Sequence, residues 1–116
     1  MIRQNKIIST ADILSEIESC ILNEDFSIAL EKLFSIRKSI VGWTNKEDKS
    51  RYFYLHATVL YETGDYRKAN IKALVADRII RRSSSHLLYA DIRMLLGKIS
   101  VRMGDFLGVC RRTSTY

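Results

Sequence analysis

The sequence contains no proline and only five glycines among its 116 residues. Turn-rich β-proteins and disordered or low-complexity chains use these two residues heavily. Their scarcity therefore disfavours both classes. With 47% hydrophobic and 28% charged residues, the composition favours a single globular domain, residues 1–116, built from long helices.

Cysteine and long apolar runs are also scarce. The two cysteines, Cys20 and Cys110, lie far apart, and the first residues lead into no apolar stretch typical of a secretion signal. We expect free thiols in a cytoplasmic protein, with a nuclear location as the open alternative. Charged residues interrupt every hydrophobic segment before it reaches the length of a membrane span, so we expect no membrane partner.

Residues suited to catalysis or metal binding are few. The two histidines, His56 and His86, are thirty residues apart, and no metal-ligand spacing or Cys–His pair is visible. The sequence therefore predicts no catalytic residue, no cofactor and no metal site, and a chain that is not an enzyme. His56 shares a helical stripe with Phe53, Ala57 and Leu60, which predicts a packed, hydrogen-bonded core histidine.

The main positive feature is a repeat with a period of forty residues. Similar segments recur at Glu24–Phe26, Gly64–Tyr66 and Gly104–Phe106, each with aspartate before an aromatic residue. Glycine can take the left-handed conformation that ends a helix, and the aspartate after it can cap the next helix. In the first copy Asn23 is the residue expected to end the helix, since glutamate stands in the glycine position. Each copy therefore predicts the turn of one helical hairpin.

The apolar periodicity predicts six helices in three antiparallel hairpins. The predicted helices are 10–22, 26–41, 48–62, 66–82, 86–103 and 106–112. The repeats accordingly cover about 10–41, 48–82 and 86–112, and the last repeat is interpreted as truncated because its second helix is much shorter than its counterparts.

The middle and last repeats resemble the tetratricopeptide (TPR) family. Leu96–Gly97 matches the family's leucine–glycine pair, ahead of Gly104–Phe106. In the middle repeat Phe53 stands in the place of the usual tryptophan and Ala57 in that of the small glycine, ahead of Gly64–Tyr66. The helix-ending proline is absent, and the period is longer than the family's roughly 34 residues. The resemblance implies an all-α, antiparallel helix-hairpin solenoid, or α–α superhelix, that serves as a protein–protein interaction scaffold.

The resemblance also places the first helix of each hairpin along a concave groove that binds a peptide or partner helix. On the third helix Arg51, Tyr54 and Tyr61 share a face that cannot point into the same core as Phe53. The predicted groove consists of Arg51, Tyr54, Thr58, Tyr61, Asp91, Met94, Lys98 and Arg102. Tyrosine and arginine are common in binding hot spots. In the alternative interpretation, Tyr54 and Tyr61 only pack between neighbouring helices.

A second surface follows from the short last helix, which leaves little to cover the fifth. Ile92, Leu95, Ile99 and Met103 are expected to be incompletely covered. Exposed apolar residues at the end of a helical array need a capping element or another chain. The sequence therefore predicts either a fragment of a longer protein or self-association as a homodimer.

The third surface is basic. The net charge of +6 favours acidic partners, and Arg78, Arg81 and Arg82 form a basic patch around the second inter-hairpin turn. No recognised nucleic-acid motif accompanies the patch. The sequence thus predicts a non-catalytic protein–protein interaction scaffold. A basic helical nucleic-acid-binding or regulatory module and a homodimeric structural subunit of a larger assembly are the alternatives.

Overall fold

The computed structural model describes residues 10–43, 45–81 and 86–115, with side chains up to Gly104. These residues form five α-helices and one 3₁₀ helix, and no strand occurs among them. The helices are α1 (Thr10–Leu22), α2 (Phe26–Ser35), the 3₁₀ helix (Ser39–Gly42), α3 (Lys46–Glu62), α4 (Tyr66–Ile80) and α5 (His86–Thr115). The predicted all-α class is confirmed.

The turn between α1 and α2 lies where the forty-residue repeat predicts it. The backbone N–H of Asp25 donates to the C=O of Cys20 at 2.8 Å. This bond places Glu24 at the position that must be left-handed, and its φ is 63°. The prediction that Asn23 ends the helix in this way is therefore wrong by one residue. Asp25 makes no side-chain capping bond to α2.

The turn between α3 and α4 repeats the same hydrogen bond with the glycine predicted for it. Asp65 N–H donates to the C=O of Leu60 at 2.8 Å, and Gly64 has a φ of 94°. The carboxylate of Asp65 accepts a bond from the backbone N–H of Lys68 at 3.4 Å. The predicted aspartate cap is thus present in the second turn, and both turns set consecutive helices side by side.

The third predicted turn, at Gly104–Phe106, does not form. This segment lies inside α5, which continues without a break to Thr115, so the separate sixth helix at 106–112 is wrong. Glycine permits the left-handed conformation but does not impose it. Here the continuing helix satisfies the backbone polar groups with its own hydrogen bonds. At the first two turns, the following helix packs on the preceding one and stabilises the reversal.

The second predicted helix also ends early. Beyond Ser35 the backbone tightens, and Arg37 N–H donates to the C=O of Phe34 at 3.2 Å, three residues back. The 3₁₀ helix then follows. Along this path both Ile36 and Ile40 lie in the core. The ends of α1, α3 and α4 differ from the prediction by at most two residues.

The core lies around α3, which contacts the other four α-helices. One cluster, with Leu14 and Leu33 among its members, joins α1, α2 and the 3₁₀ helix to α3. Two further clusters join α5 to α3 and α4, and Ala73 and Ile92 belong to them. Tyr54 of α3 packs against all three clusters. The central helix therefore positions the residues of every surface described below.

The apolar stripe of α5 that was predicted to be incompletely covered is covered. Ile92, Leu95 and Ile99 are buried, and Met103 is half-buried. They pack on α4 and α3, where small residues such as Ala73 let α5 approach closely. The prediction of an uncovered surface at these positions is therefore wrong for the three buried residues.

Candidate partner-binding surfaces

The predicted groove residues of α3 lie between α1 and α5. Arg51 contacts the carboxylate of Glu18 on α1, with 2.7 Å between nitrogen and oxygen. Burial raises the pKa of the Tyr54 hydroxyl, the carboxylates of Asp91 on α5 and of Glu18 raise it further, and a side-chain interaction with Thr58 lowers it. The structure therefore brings side chains of three helices together around Tyr54, as the groove prediction requires.

Both groove tyrosines also take part in packing. Tyr54 is half-buried against the core clusters, and the rings of Tyr61 and Tyr66 lie 5.5 Å apart. Tyr61 is likewise half-buried. Each tyrosine thus contributes to contacts between helices while part of its surface remains accessible.

The exposed side of α5 carries an apolar stripe that the sequence analysis missed. Leu87, Met94 and Val101 are 84%, 64% and 62% exposed and stand seven residues apart, which is two helical turns. Ala90 lies three residues after Leu87, and Gly97 lies three residues after Met94. Both residues are exposed, and the space beside Gly97 is open. Alternating steps of three and four residues are the heptad spacing of a helix-packing seam. We name Leu87, Ala90, Met94, Gly97 and Val101 the α5 seam.

The α5 seam adjoins the predicted groove. Met94 belongs to both, and Asp91 is close enough to Tyr54 to raise the pKa of its hydroxyl. Lys98 follows Asp91 by seven residues on the same side of α5, and Arg102 follows Lys98 by one turn. All four predicted groove residues of α5 are exposed. The groove and the seam therefore form adjacent strips of one surface.

The predicted basic patch is only partly available to a partner. The guanidinium of Arg81 contacts the buried carboxylate of Asp77 at 2.7 Å, and Arg93 of α5 lies 3.6 Å from the same oxygen. The other carboxylate oxygen of Asp77 has no hydrogen-bond partner among the described residues. Arg81 is therefore engaged in holding a buried charge, which reduces its availability to an external anion.

Arg78 lies in a different basic surface from the one predicted. It lines a cleft of about 270 Å³ with Lys46 and Lys49 from the start of α3 and with Ile79. Arg82 lies outside the described residues. Three cations from two helices therefore meet at this cleft. No local pattern predicts it, because the lysines are about thirty residues from Arg78 in the sequence.

A larger cleft of about 380 Å³ opens on the face of α3 that carries Phe53, His56 and Leu60, opposite the groove residues. The elements α2, α4 and the 3₁₀ helix contribute its remaining walls. Its lining comprises Leu30, Phe34, Ile40, Tyr52, Phe53, Leu60, Arg37, His56, Lys68 and Lys72. We name it the His56 cleft.

His56 is the buried polar group of this cleft. Only 8% of it is exposed, and its ring lies 6.2 Å from each of the rings of Phe34 and Tyr52. Burial, followed by the charge of Lys72, lowers the pKa of His56 to about 4, so the imidazole is neutral at pH 7. The predicted burial is confirmed. The predicted hydrogen bonding is wrong for Nδ1, which has no partner in the described structure.

The charged residues of the His56 cleft are all cations. Arg37 lies over the ring of Phe34 and Lys72 over the ring of Phe53, each 5.8 Å from the ring centroid. Lys68 lies one turn before Lys72 on α4, and no carboxylate lines the cleft. The cleft thus combines an aromatic wall with a positive rim. The spacing of the two lysines, four residues apart, was the sequence signal for this positive rim. The fold is what places these lysines beside α2.

The described residues contain no group of three or more histidine, cysteine or acidic side chains placed to hold a metal. Cys20 is a half-buried free thiol, and the side chain of Cys110 lies outside the described residues. Among the described helices, none has the length and apolar character needed to cross a bilayer.

No protein-family model, no curated protein and no solved structure matches this chain. The resemblance to the TPR family therefore remains a prediction that depends on the residues quoted for it.

Proposed function

We propose that this chain is a non-catalytic interaction scaffold that binds a helical segment of a partner protein along the α5 seam and the adjoining groove. One observation carries the proposal: large apolar side chains alternate with small residues on the exposed side of α5, at heptad spacing. In this proposal the helices form a TPR-like array in which α1, α3 and α5 line the groove. A contiguous exposed apolar strip of this kind marks an interaction site.

The dimensions of the seam fit a helix. From Leu87 to Val101 it extends roughly 21 Å along α5, at about 1.5 Å per residue, which matches about four turns of a partner helix. Ala90 and Gly97 allow the partner backbone to come close. Burial of each large side chain contributes about 1.5–3 kcal/mol, so the three together offset much of the cost of association and the groove contacts add to them.

The groove residues set the orientation of the bound partner helix. Asp91 and Lys98 place opposite charges two turns apart beside the seam, and charges at the edge of an interface fix register and exclude wrong partners. The half-exposed ring of Tyr54 provides a rigid aromatic contact next to them. The preferred partner is therefore an amphipathic helix with a basic residue near Asp91 and an acidic residue near Lys98.

The test compares the wild-type chain with the double variant Leu87→Gln/Met94→Gln. A partner captured by the wild-type chain is purified and titrated against both proteins. The variant is expected to bind about a hundredfold more weakly, since loss of two buried side chains removes about 3 kcal/mol. Leu22→Gln is the matched control, because it removes an equally exposed leucine from α1. Equal binding by the double variant and this control would refute the proposal.

The partner can also be a second copy of the chain. In that case light scattering shows a dimer whose population rises with concentration in the wild type and in Leu22→Gln, and a monomer in the double variant. A dimer that survives in the double variant would place self-association elsewhere.

Nucleic acid is the second candidate partner, favoured by the cations of Arg78, Lys46 and Lys49 around one cleft. Binding to duplex nucleic acid would then weaken steeply as salt rises, since each neutralised phosphate releases counterions. Arg78→Gln should lower affinity and reduce the salt slope by about one. Binding that does not depend on salt, or on Arg78, rules this candidate out.

A further inference from the structure

The His56 cleft has features that protein packing alone does not require. A neutral imidazole is buried with Nδ1 unpaired, although buried polar groups in native proteins are nearly always hydrogen-bonded. Leaving such a group unsatisfied destabilises the folded state. Nδ1 is closed to solvent, so a ligand atom reaches it only when the imidazole turns within the cleft. A ligand that enters beside the turned ring then supplies the missing partner.

The walls define the chemistry of that occupant. Phe34, Tyr52 and Phe53 give an aromatic surface on two sides, and leucine and isoleucine side chains complete it. A mostly apolar cleft of this size with few polar groups is typical of small-molecule sites, which occupy about 300–1,000 Å³. The occupant is thus a compact body with a flat or branched apolar part.

The rim defines its charge. Arg37, Lys68 and Lys72 line the cleft and no carboxylate lies among the lining residues, while Lys68 also lies 3.9 Å from the carboxylate of Asp65 at the start of α4. Two of these cations already lie above aromatic rings, where they can contact a ligand stacked on the same rings. A negative group on the ligand gains from all three cations in a partly desolvated setting.

We propose that the His56 cleft binds a small organic carboxylate carried on an aromatic or branched apolar body. The apolar body packs against Phe34, Tyr52 and Phe53, the carboxylate faces Lys68 and Lys72, and His56 forms a hydrogen bond with the ligand. This site lies on the opposite face of α3 from the groove, so ligand binding and partner binding are separate properties of the chain.

The test titrates the full chain with naphthoate and follows backbone amide and His56 ring signals by NMR. Saturable shifts are expected at residues of the cleft, with a dissociation constant below about 1 mM, the value for about −4 kcal/mol. Naphthalenemethanol has the same rings without the charge and should bind at least tenfold more weakly. Inorganic phosphate, which has charge without an apolar body, should not compete.

Matched lysine variants test which side chains contact the carboxylate of the ligand. Lys72→Gln should weaken naphthoate binding about tenfold, and Lys98→Gln, the same charge loss on α5, should leave it unchanged. The proposal is overturned by shifts that map outside the cleft, by equal binding of naphthoate and naphthalenemethanol, or by competition from phosphate. It is equally overturned if both lysine variants behave alike, or if an acidic peptide saturates the cleft while naphthoate does not.

Discussion

Acidification should destabilise this protein through His56 before most carboxylates protonate. The pKa of a histidine in an unfolded chain is about 6.5, whereas burial and Lys72 lower the pKa of His56 to about 4 in the folded state. The unfolded state therefore binds the proton more tightly, and stability falls as pH drops from about 6.5 towards 4. Linkage gives a loss of about 2 kcal/mol at about pH 5 and about 3 kcal/mol at lower pH.

The other charged groups facing His56 do not obscure this effect. Arg37, Lys68 and Lys72 are the charged residues that line the cleft with His56, and no carboxylate is among them. The assay is urea unfolding followed by circular dichroism at about pH 7.5 and about pH 5, for the wild type and for His56→Leu. Contributions from groups outside the cleft are common to both proteins and cancel in the comparison. The wild type should lose about 2 kcal/mol more than the variant. Equal losses would refute the assignment of a buried, neutral imidazole.

Two further predictions concern stability, one for backbone conformation and one for a buried charge. Gly64→Ala should lower the free energy of unfolding by about 1–2 kcal/mol, because φ is 94° at this residue. Gly97→Ala, in the open middle of α5, should raise it by up to about 1 kcal/mol. Melting temperatures that shift in the same direction in both variants would contradict this pair of predictions. Arg81→Ala should cost about 1–2 kcal/mol, because it leaves the buried carboxylate of Asp77 with only the longer contact to Arg93. Denaturant unfolding checks the last value, and a change below about 0.5 kcal/mol would indicate an ordinary surface ion pair.

Local sequence signals predicted the first four helices and the turns between paired helices. Each of those turns depends on two neighbouring residues: one that takes a left-handed conformation at the end of the helix, and the aspartate that follows it. Such a local pattern is visible in a single sequence. The same signal at Gly104 failed because it only permits a turn. Whether the chain reverses depends on which helices pack together, and that information is spread over the whole fold.

The functional surfaces were less predictable for the same reason. The groove was found from the spacing of Arg51, Tyr54 and Tyr61 within one helix. The His56 cleft takes its lining from segments between residues 30 and 72, so no local pattern reveals it. The α5 seam was not predicted, because the spacing of Ile92, Leu95 and Ile99 predicts the exposed apolar face there, whereas these residues pack against α4.

The position of Tyr54 bears on how the protein unfolds. Its ring packs against all three core clusters, and Phe53 beside it packs against two of them. Arrays of helical hairpins can lose structure one hairpin at a time, because each unit contacts mainly its neighbours. Side chains shared between clusters oppose this behaviour by making the loss of one cluster weaken the others. These two adjacent aromatic residues therefore couple α1 and α2 to α4 and α5, and we expect the described helices to unfold as one cooperative unit.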